Sequence, residues 1–478
     1  MKEKGIDQLL VSDPLSIRFL TGIMVNPGER LYALLLRTSG KHTLFLNYLY
    51  YVSNTGFEEV WFSDMDDQIG VLTEHIDTKG VIGIDKTFPA RFLIPLQERC
   101  PELKTVWGSD CVDGVRAVKN AEEIEIMKHA SVINDTVMER VANFIKEGMT
   151  EKEVADFIDA EYLKEGASGV SFDTIVCFGP NAADQHHTPS ETRTLKAGEC
   201  VLIDMGCVWK GYCSDMTRTF YCKSVDDEQA AIHDLVRTAV EKAEAVIKPG
   251  MRFCDIDAQA RDLIDEAGYS EYWRIRLGHF IGQEDHEYGD VSPINKNVAE
   301  PGMIFSIEPG IYIEGSHGVR LENELLVCEG EKNEYGEFLY FEPITYVPFD
   351  LDAINPDIMT QEDKKLLNDY HAKVYEVIAP YLNEEVYESD LINMVIGTHM
   401  SIAKGIVKTA ENVVKMNADT MQIFSRNPRG SNYKDPTVKE AEEFQRIRRE
   451  AGFGAILAHA PYTMNLASAT EKTYEFAC

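Results

Sequence analysis

The chain has 478 residues, 44% of them hydrophobic and 27% charged, an ordinary balance for a globular protein and one that excludes long disorder as its main state. Its formal net charge is −33, so its surface repels phosphate backbones and disfavours nucleic acid while suiting cations. No run of 18 apolar residues and no apolar signal region follows MKEKGIDQLLVSD, so a membrane span is not expected and the cytoplasm is. The ten cysteines form no CxxC pair, which predicts reduced thiols rather than a disulfide framework or cysteine-ligated zinc.

Residues 6–118 alternate between strand-like and helix-like runs. YALLLRTS, HTLFLNYLYYV and GVIGIDKT read as strands, and QIGVLTEHI and ARFLIPLQERC as helices, an α/β pattern with short connections. A helix pair follows over 119–165. Ile124, Met127, Ala130, Ile133, Val137, Val141 and Ile145 recur at helical spacing, and Gly148 is expected to end the run. Thr150 with Glu153 predicts a capping box opening the second helix. Two further helices, AAIHDLVRTAVEKAEAVI and DIDAQARDLIDEAG, are interleaved with the strand-type runs SFDTIVCF, CVLIDMGCVW, YCSDMTRTFYC, MIFSIEPGIYI and GVRLENELLVCEG. The order helices, strands, helices, strands gives an α+β class with a hint of internal duplication. Residues 361–382 predict one more amphipathic helix.

Four of these apolar segments each carry a carboxylate: Asp204, Asp215, Glu308 and Glu322. His279 lies in the Gly-flanked RLGHFIGQEDHE. Any one buried carboxylate is explained by a salt bridge, with Arg218 or Arg320 for example. Four converging without cations would repel one another and rise in pKa. A pair of divalent ions removes that conflict, and oxygen-rich ligation with one imidazole suits Mn²⁺, Co²⁺, Fe²⁺ or Zn²⁺. Two ions about 3.5–4 Å apart can share a hydroxide nucleophile.

The stretches FGPNAADQHHTPS, VLIDMGCVWKGYCSDMTRTF, GHFIGQEDHE, FSIEPGIYI and GVRLENELLV, in this order, resemble the pita-bread metallopeptidases, the group of prolidase, aminopeptidase P and methionine aminopeptidase. The resemblance covers residues 5–385. It implies a catalytic domain over 119–390 behind a smaller α/β N-terminal domain over 1–118, and hydrolysis of Xaa-Pro peptide bonds by a metal-bridging hydroxide. Asp204, Asp215, His279, Glu308 and Glu322 match the five metal ligands, with manganese the expected ion. Glu308 matches the residue that also moves the proton. His186 and His286 match two substrate histidines, and Arg320 is expected to orient a carboxylate of the substrate or of a ligand. His187 is expected to be a bystander, and His317 sits at a turn near the mouth. Ile275 stands where many relatives carry a histidine. The resemblance further implies proline-containing peptides as substrates and a homodimer.

From Met394 onward the charge balance turns slightly positive, with 11 Lys+Arg against 9 Asp+Glu. That shift places a boundary near 383–393. Residues 394–478 resemble the start of endonuclease IV, through VIGTH, TMQIF and AILAHAPY, and are expected to form a βαβαβ piece of a TIM barrel. Of that nuclease's zinc ligands only His459 is matched, with His399 in the first strand-end loop. A bifunctional protein with a repair-nuclease piece is the alternative reading, and that piece is expected to be inactive because one histidine cannot hold the zinc cluster.

Overall fold

A computed structural model describes residues 1–378 apart from Ile247, Arg274, Asp357 and Ile358, and then 397–400, 406–415, 420–424, 437–451 and 456–459. The expected boundary at 383–393 lies outside the described residues. Chain contacts separate two units, Met1–Leu366 and Leu367–Cys478.

The first unit opens with a six-stranded sheet. Its strands are β1 (Gln8–Val11), β2 (Ala33–Arg37), β3 (Thr43–Asn47), β4 (Glu58–Phe62), β5 (Val81–Ile84) and β6 (Lys104–Trp107), in the order β4-β3-β2-β1-β5-β6. The β1–β2 and β2–β3 pairs are antiparallel and the rest parallel. Helices α1 (Pro14–Thr21), α2 (Gln68–His75), α3 (Ala90–Arg99) and α4 (Asp110–Ala117) join them. Successive side chains point to opposite sides, and the central strands bury residues on both faces. Leu10, Leu35 and Phe45 join one core with Leu72 and Leu96 of α2 and α3, and Leu9, Leu34 and Leu44 join the other with Ile17 and Val112 of α1 and α4.

The expected strand HTLFLNYLYYV stops at Asn47. The Asn47 side chain accepts from the Leu49 amide at 3.0 Å, which turns the chain and leaves Tyr48, Leu49 and Tyr51 exposed.

Helices α5 (Ala121–Phe144) and α6 (Glu151–Lys164) form the expected pair. Both carry capping boxes, Asn120 with Glu123 and Thr150 with Glu153. Helix α5 ends at Phe144, short of the predicted Gly148, because Ile145 turns extended; Gly148 takes a left-handed φ of 91° in the loop that follows. After β7 (Gly169–Val170) and β8 (Ile175–Phe178) come β9 (Cys200–Met205), β10 (Cys207–Trp209), β11 (Tyr212–Cys213) and β12 (Met216–Tyr221). Strands β9 and β12 pair antiparallel with Asp204 opposite Thr217.

Helix α7 (Asp227–Glu244), β13 (Lys248–Pro249) and α8 (Phe253–Glu266) lead to β14 (Gly278–Phe280), β15 (Glu287–Val291), β16 (Ile304–Ile307), β17 (Gly310–Ile313), β18 (His317–Arg320), β19 (Asn323–Asn333) and β20 (Gly336–Pro343). The second large sheet runs β13-β20-β19-β16-β14-β15. The mixed α+β architecture expected from the sequence is present.

In the second unit, strands Gly397–Met400, Thr420–Phe424 and Ile456–His459 form a parallel three-stranded sheet, with helices Ile406–Lys415 and Val438–Ala451 in the connections. This is the expected βαβαβ order, and His459 ends its last strand. Among the described residues no helix is long and apolar enough to cross a membrane.

Candidate metal centre

Strand ends place the five predicted ligands. Asp204 lies one residue from the end of β9, and Asp215 immediately precedes β12. His279 is the middle residue of β14. Glu308 follows β16, and Glu322 sits between β18 and β19. Backbone bonds fix two of these positions: the Glu308 amide donates to the Leu277 carbonyl at 2.7 Å and the Glu322 amide to that of Thr217 at 3.0 Å.

Donor atoms of Asp215, His279 and Glu322 all lie within 4.8 Å of one another. His279 Nε2 is 3.3 Å from Asp215 Oδ2 and 3.5 Å from Glu308 Oε1. His279 Nδ1 stands 3.2 Å from the Phe280 carbonyl; donating there leaves the Nε2 lone pair facing the carboxylates, the tautomer a metal ligand needs. Asp204 Oδ2 accepts from Arg320 at 2.6 Å.

The electrostatics are those of a site built for cations. Burial, then the negative charges of Glu322, Asp285, Asp204 and Glu308, push the Asp215 carboxyl well above its usual range. Burial and the charges of Glu308 and Asp204 do the same to Glu322. Glu308 is pushed up to about 7, chiefly by burial. His279 is driven well below its ordinary value by burial and then by His286, which keeps its ring neutral. Asp204 Oδ1, Asp215 Oδ1 and Glu322 Oε1 are buried with no hydrogen-bond partner among the described residues. Buried carboxylate oxygens of this kind are costly unless something positive meets them. Oxygen donors around one neutral imidazole therefore fit a divalent metal centre.

His286 lies beside this cluster. Its ring stacks on His279 at 3.8 Å and 22°, and Arg276 donates to its Nδ1 at 2.6 Å. Burial, then Arg276, lowers it to about 4. His186 is exposed on the loop after β8, close enough for its charge to act on His286.

The neighbouring His187 is more than a bystander. Its Nε2 bonds the buried Glu151 at 2.9 Å. The same carboxylate accepts from the amides of Phe178 and Ser190 and from Asn181, so the first residue of α6 gathers the loop that carries His186.

Arg320 is buried rather than open to a substrate. Its Nε donates to Thr217, one terminal nitrogen to Tyr312 at 2.8 Å and the other to Asp204, so it holds the Asp204 carboxylate in place. Arg218 bonds the Glu322 and Val347 carbonyls and the Asn323 side chain, not the ligand carboxylates. His317 is buried in the β17–β18 hairpin against Ser316. Ile275 is half-buried, and its carbonyl accepts from Arg261.

Sequence reasoning missed Asp285. Burial and then Asp204 lift it to about 7, against the lowering influence of Asp215 and Arg276. The only sequence signal was its place between Gln283-Glu284 and His286 in a Gly-flanked turn.

Three family profiles match the chain. That described as the Creatinase/Prolidase N-terminal domain covers residues 1–118, metallopeptidase family M24 covers 125–329, and the C-terminal region of peptidase M24 covers 337–391. An uncharacterized peptidase of Staphylococcus saprophyticus is 40% identical over 338 residues, spanning 69% of this chain and 94% of that protein. The chain belongs to metallopeptidase family M24.

Two solved M24-like structures bracket the site. An Xaa-Pro dipeptidase from Bacillus anthracis is 30% identical, covers 73% of this chain and 95% of its own, and superposes with a TM-score of 0.64. An X-Pro aminopeptidase from Thermotoga maritima is also 30% identical, covers 72% and 96%, and has a TM-score of 0.60. The chain has the pita-bread fold with its N-terminal domain, and it is a metal-dependent peptide hydrolase.

Proposed function

We propose that this M24 peptidase hydrolyses Xaa-Pro bonds at a two-ion centre held by Asp204, Asp215, His279, Glu308 and Glu322. The observation that carries the reading is the set of buried ligand oxygens without partners among the described residues, beside the neutral His279. The two structural relatives, one a dipeptidase and one an aminopeptidase, both act on proline-containing peptides by name, which supports the substrate class. Divalent ions bound there supply an activated water and polarise the scissile carbonyl; manganese is the ion proposed.

The chain's own groups do the rest. Glu308, lifted towards neutrality, takes the proton of the attacking water and returns it to the leaving nitrogen. That nitrogen belongs to a tertiary amide without hydrogen, and like any amine leaving group it must be protonated to depart. His286 and His186 flank the carbonyl and hold the developing oxyanion by hydrogen bonding. Arg320 holds Asp204, and His187 with Glu151 holds the His186 loop. In the same proposal residues 1–118, 119–390 and 394–478 are the domains, the first supporting a homodimer.

The test is hydrolysis of Xaa-Pro dipeptides against Xaa-Pro-Yaa tripeptides, with and without chelation. Release of proline or of the first residue that stops on chelation and returns with Mn²⁺ is expected. Cleavage of neither peptide class, or cleavage indifferent to chelation, contradicts the reading.

A further inference from the structure

The turn between β14 and β15 carries both Asp285 and His286, and one set of its anchors lies outside the metal centre. Glu287, which ends the turn, is buried. Its Oε1 accepts from the Gln283 amide at 2.9 Å and from Arg116 at 2.8 Å, and its Oε2 accepts from Lys119 at 3.1 Å. The turn folds so tightly over this carboxylate that a Cβ on Gly282 would meet Glu287 Oε1 at 2.5 Å. Arg116 also donates to Glu284 at 2.8 Å, so one guanidinium grips the turn on both sides of His286.

Arg116 lies at the end of the N-terminal domain, and Lys119 is the first residue of the catalytic one. Arg116 belongs to α4, and its side chain is only 3% exposed. Its other terminal nitrogen donates to Asp13 at 3.3 Å and to Ser16 at 3.1 Å; Asp13 is the N-cap of α1. Lys119 follows two residues after α4, with its amide tied to the Gly302 carbonyl at 2.8 Å. A continuous buried chain of charge-assisted bonds therefore runs from the N-cap of α1 through Arg116 to the turn that presents His286 over His279. Such bonds are short and directional, and a planar guanidinium fixes two acceptors relative to each other.

We infer that Arg116 and Lys119 are positioning residues for His286, and that through Arg116 the N-terminal domain sets the geometry of the active site. This rests on the proposed role of His286 as a substrate histidine. The N-terminal domain is then a working part of the catalytic apparatus in each single chain. Losing the grip lets the turn relax, and His286 leaves its stack on His279 while the five ligands keep their own strand anchors.

A double-mutant cycle tests it on the full chain. Arg116→Gln is expected to lower kcat/KM for an Xaa-Pro substrate by about tenfold or more. In a His286→Ala background the same change is expected to cost less than about twofold, because the group it positions is gone. Arg116→Lys is expected to recover part of the loss, and the bound-metal stoichiometry is expected to stay that of the parent in every variant. Should Arg116→Gln fail to fold, Glu284→Gln cuts one arm of the grip from the solvent side and completes an equivalent cycle. Equal losses in both backgrounds, or no loss in the parent, overturn the inference and leave the peptidase reading intact. A His286→Ala chain as active as the parent overturns the role of His286 and this inference with it, while Xaa-Pro hydrolysis itself still stands.

Discussion

Two clusters of buried carboxylates lie on either side of one short turn, and they are handled in opposite ways. Around Glu287 the chain supplies its own cations. Burial pushes its carboxyl up, yet Lys119 and Arg116 outweigh that and hold it below the usual range. Around Asp215 and Glu322 the acids accumulate, with Arg320 engaging Asp204, and both carboxyls are driven well above their usual range. The carboxylate of the first cluster is matched on both oxygens within the protein. Asp215 and Glu322 in the second are not, and the difference marks where positive charge from outside belongs.

That contrast can be sharpened at Glu308, the group proposed to move the proton. Glu308→Gln keeps the shape and one oxygen donor but removes the base. Hydrolysis of Xaa-Pro peptides is expected to fall by about 10²–10⁴-fold, read as kcat, with the protein still folded. Wild-type turnover by this variant would take Glu308 out of the proton path.

A smaller effect is expected one layer out. Arg320→Met leaves Asp204 without its orienting donor, and a loss of about 10–100-fold in metal affinity or activity is expected from titration of the metal and steady-state rates. An unchanged variant would mean that Asp204 holds its place without help.

The comparison also predicts a pH dependence of stability in the chelated protein. Asp135 is raised to about 8, and Glu241 and Glu244 to about 7, each by burial, and the ligand carboxyls shift in the same direction. The folded state therefore keeps protons that the unfolded chain releases above pH about 4. Stability present at low pH is lost as pH climbs from there through about 7–8. The melting temperature in chelator is expected to be a few degrees lower at pH 8 than at pH 5.5, and divalent metal is expected to narrow the gap. A chelated protein that melts higher at pH 8 contradicts the assignment of uncompensated acid.

Much of this was legible in the sequence where a local rule applied. The Thr150–Glu153 box opens α6 as expected, because capping depends on residues three apart. The four carboxylates stood out because ionisable side chains interrupt apolar strands, while the resemblance to the family singled out His279 and joined all five as candidate ligands. Strand β4 went unread, since Glu58–Phe62 is a half-exposed edge whose partner β3 pairs with it in parallel. The grip of Arg116 on Glu287 spans 171 residues, and the order of the N-terminal sheet depends on such distant pairings, which no local pattern records. For Arg320 the sequence left open a carboxylate of the substrate or of the site; only its burial against Asp204, Thr217 and Tyr312 reveals its place behind Asp204.

The central claim is that the acids around His279 are a two-ion centre, and metal content tests it most directly. Wild-type protein reloaded with Mn²⁺ after chelation should bind two ions per chain and recover Xaa-Pro hydrolysis, while Asp215→Ala should bind fewer and hydrolyse at the background rate. A wild-type chain that binds no ion, or an Asp215→Ala chain that keeps both ions and full activity, would contradict the account.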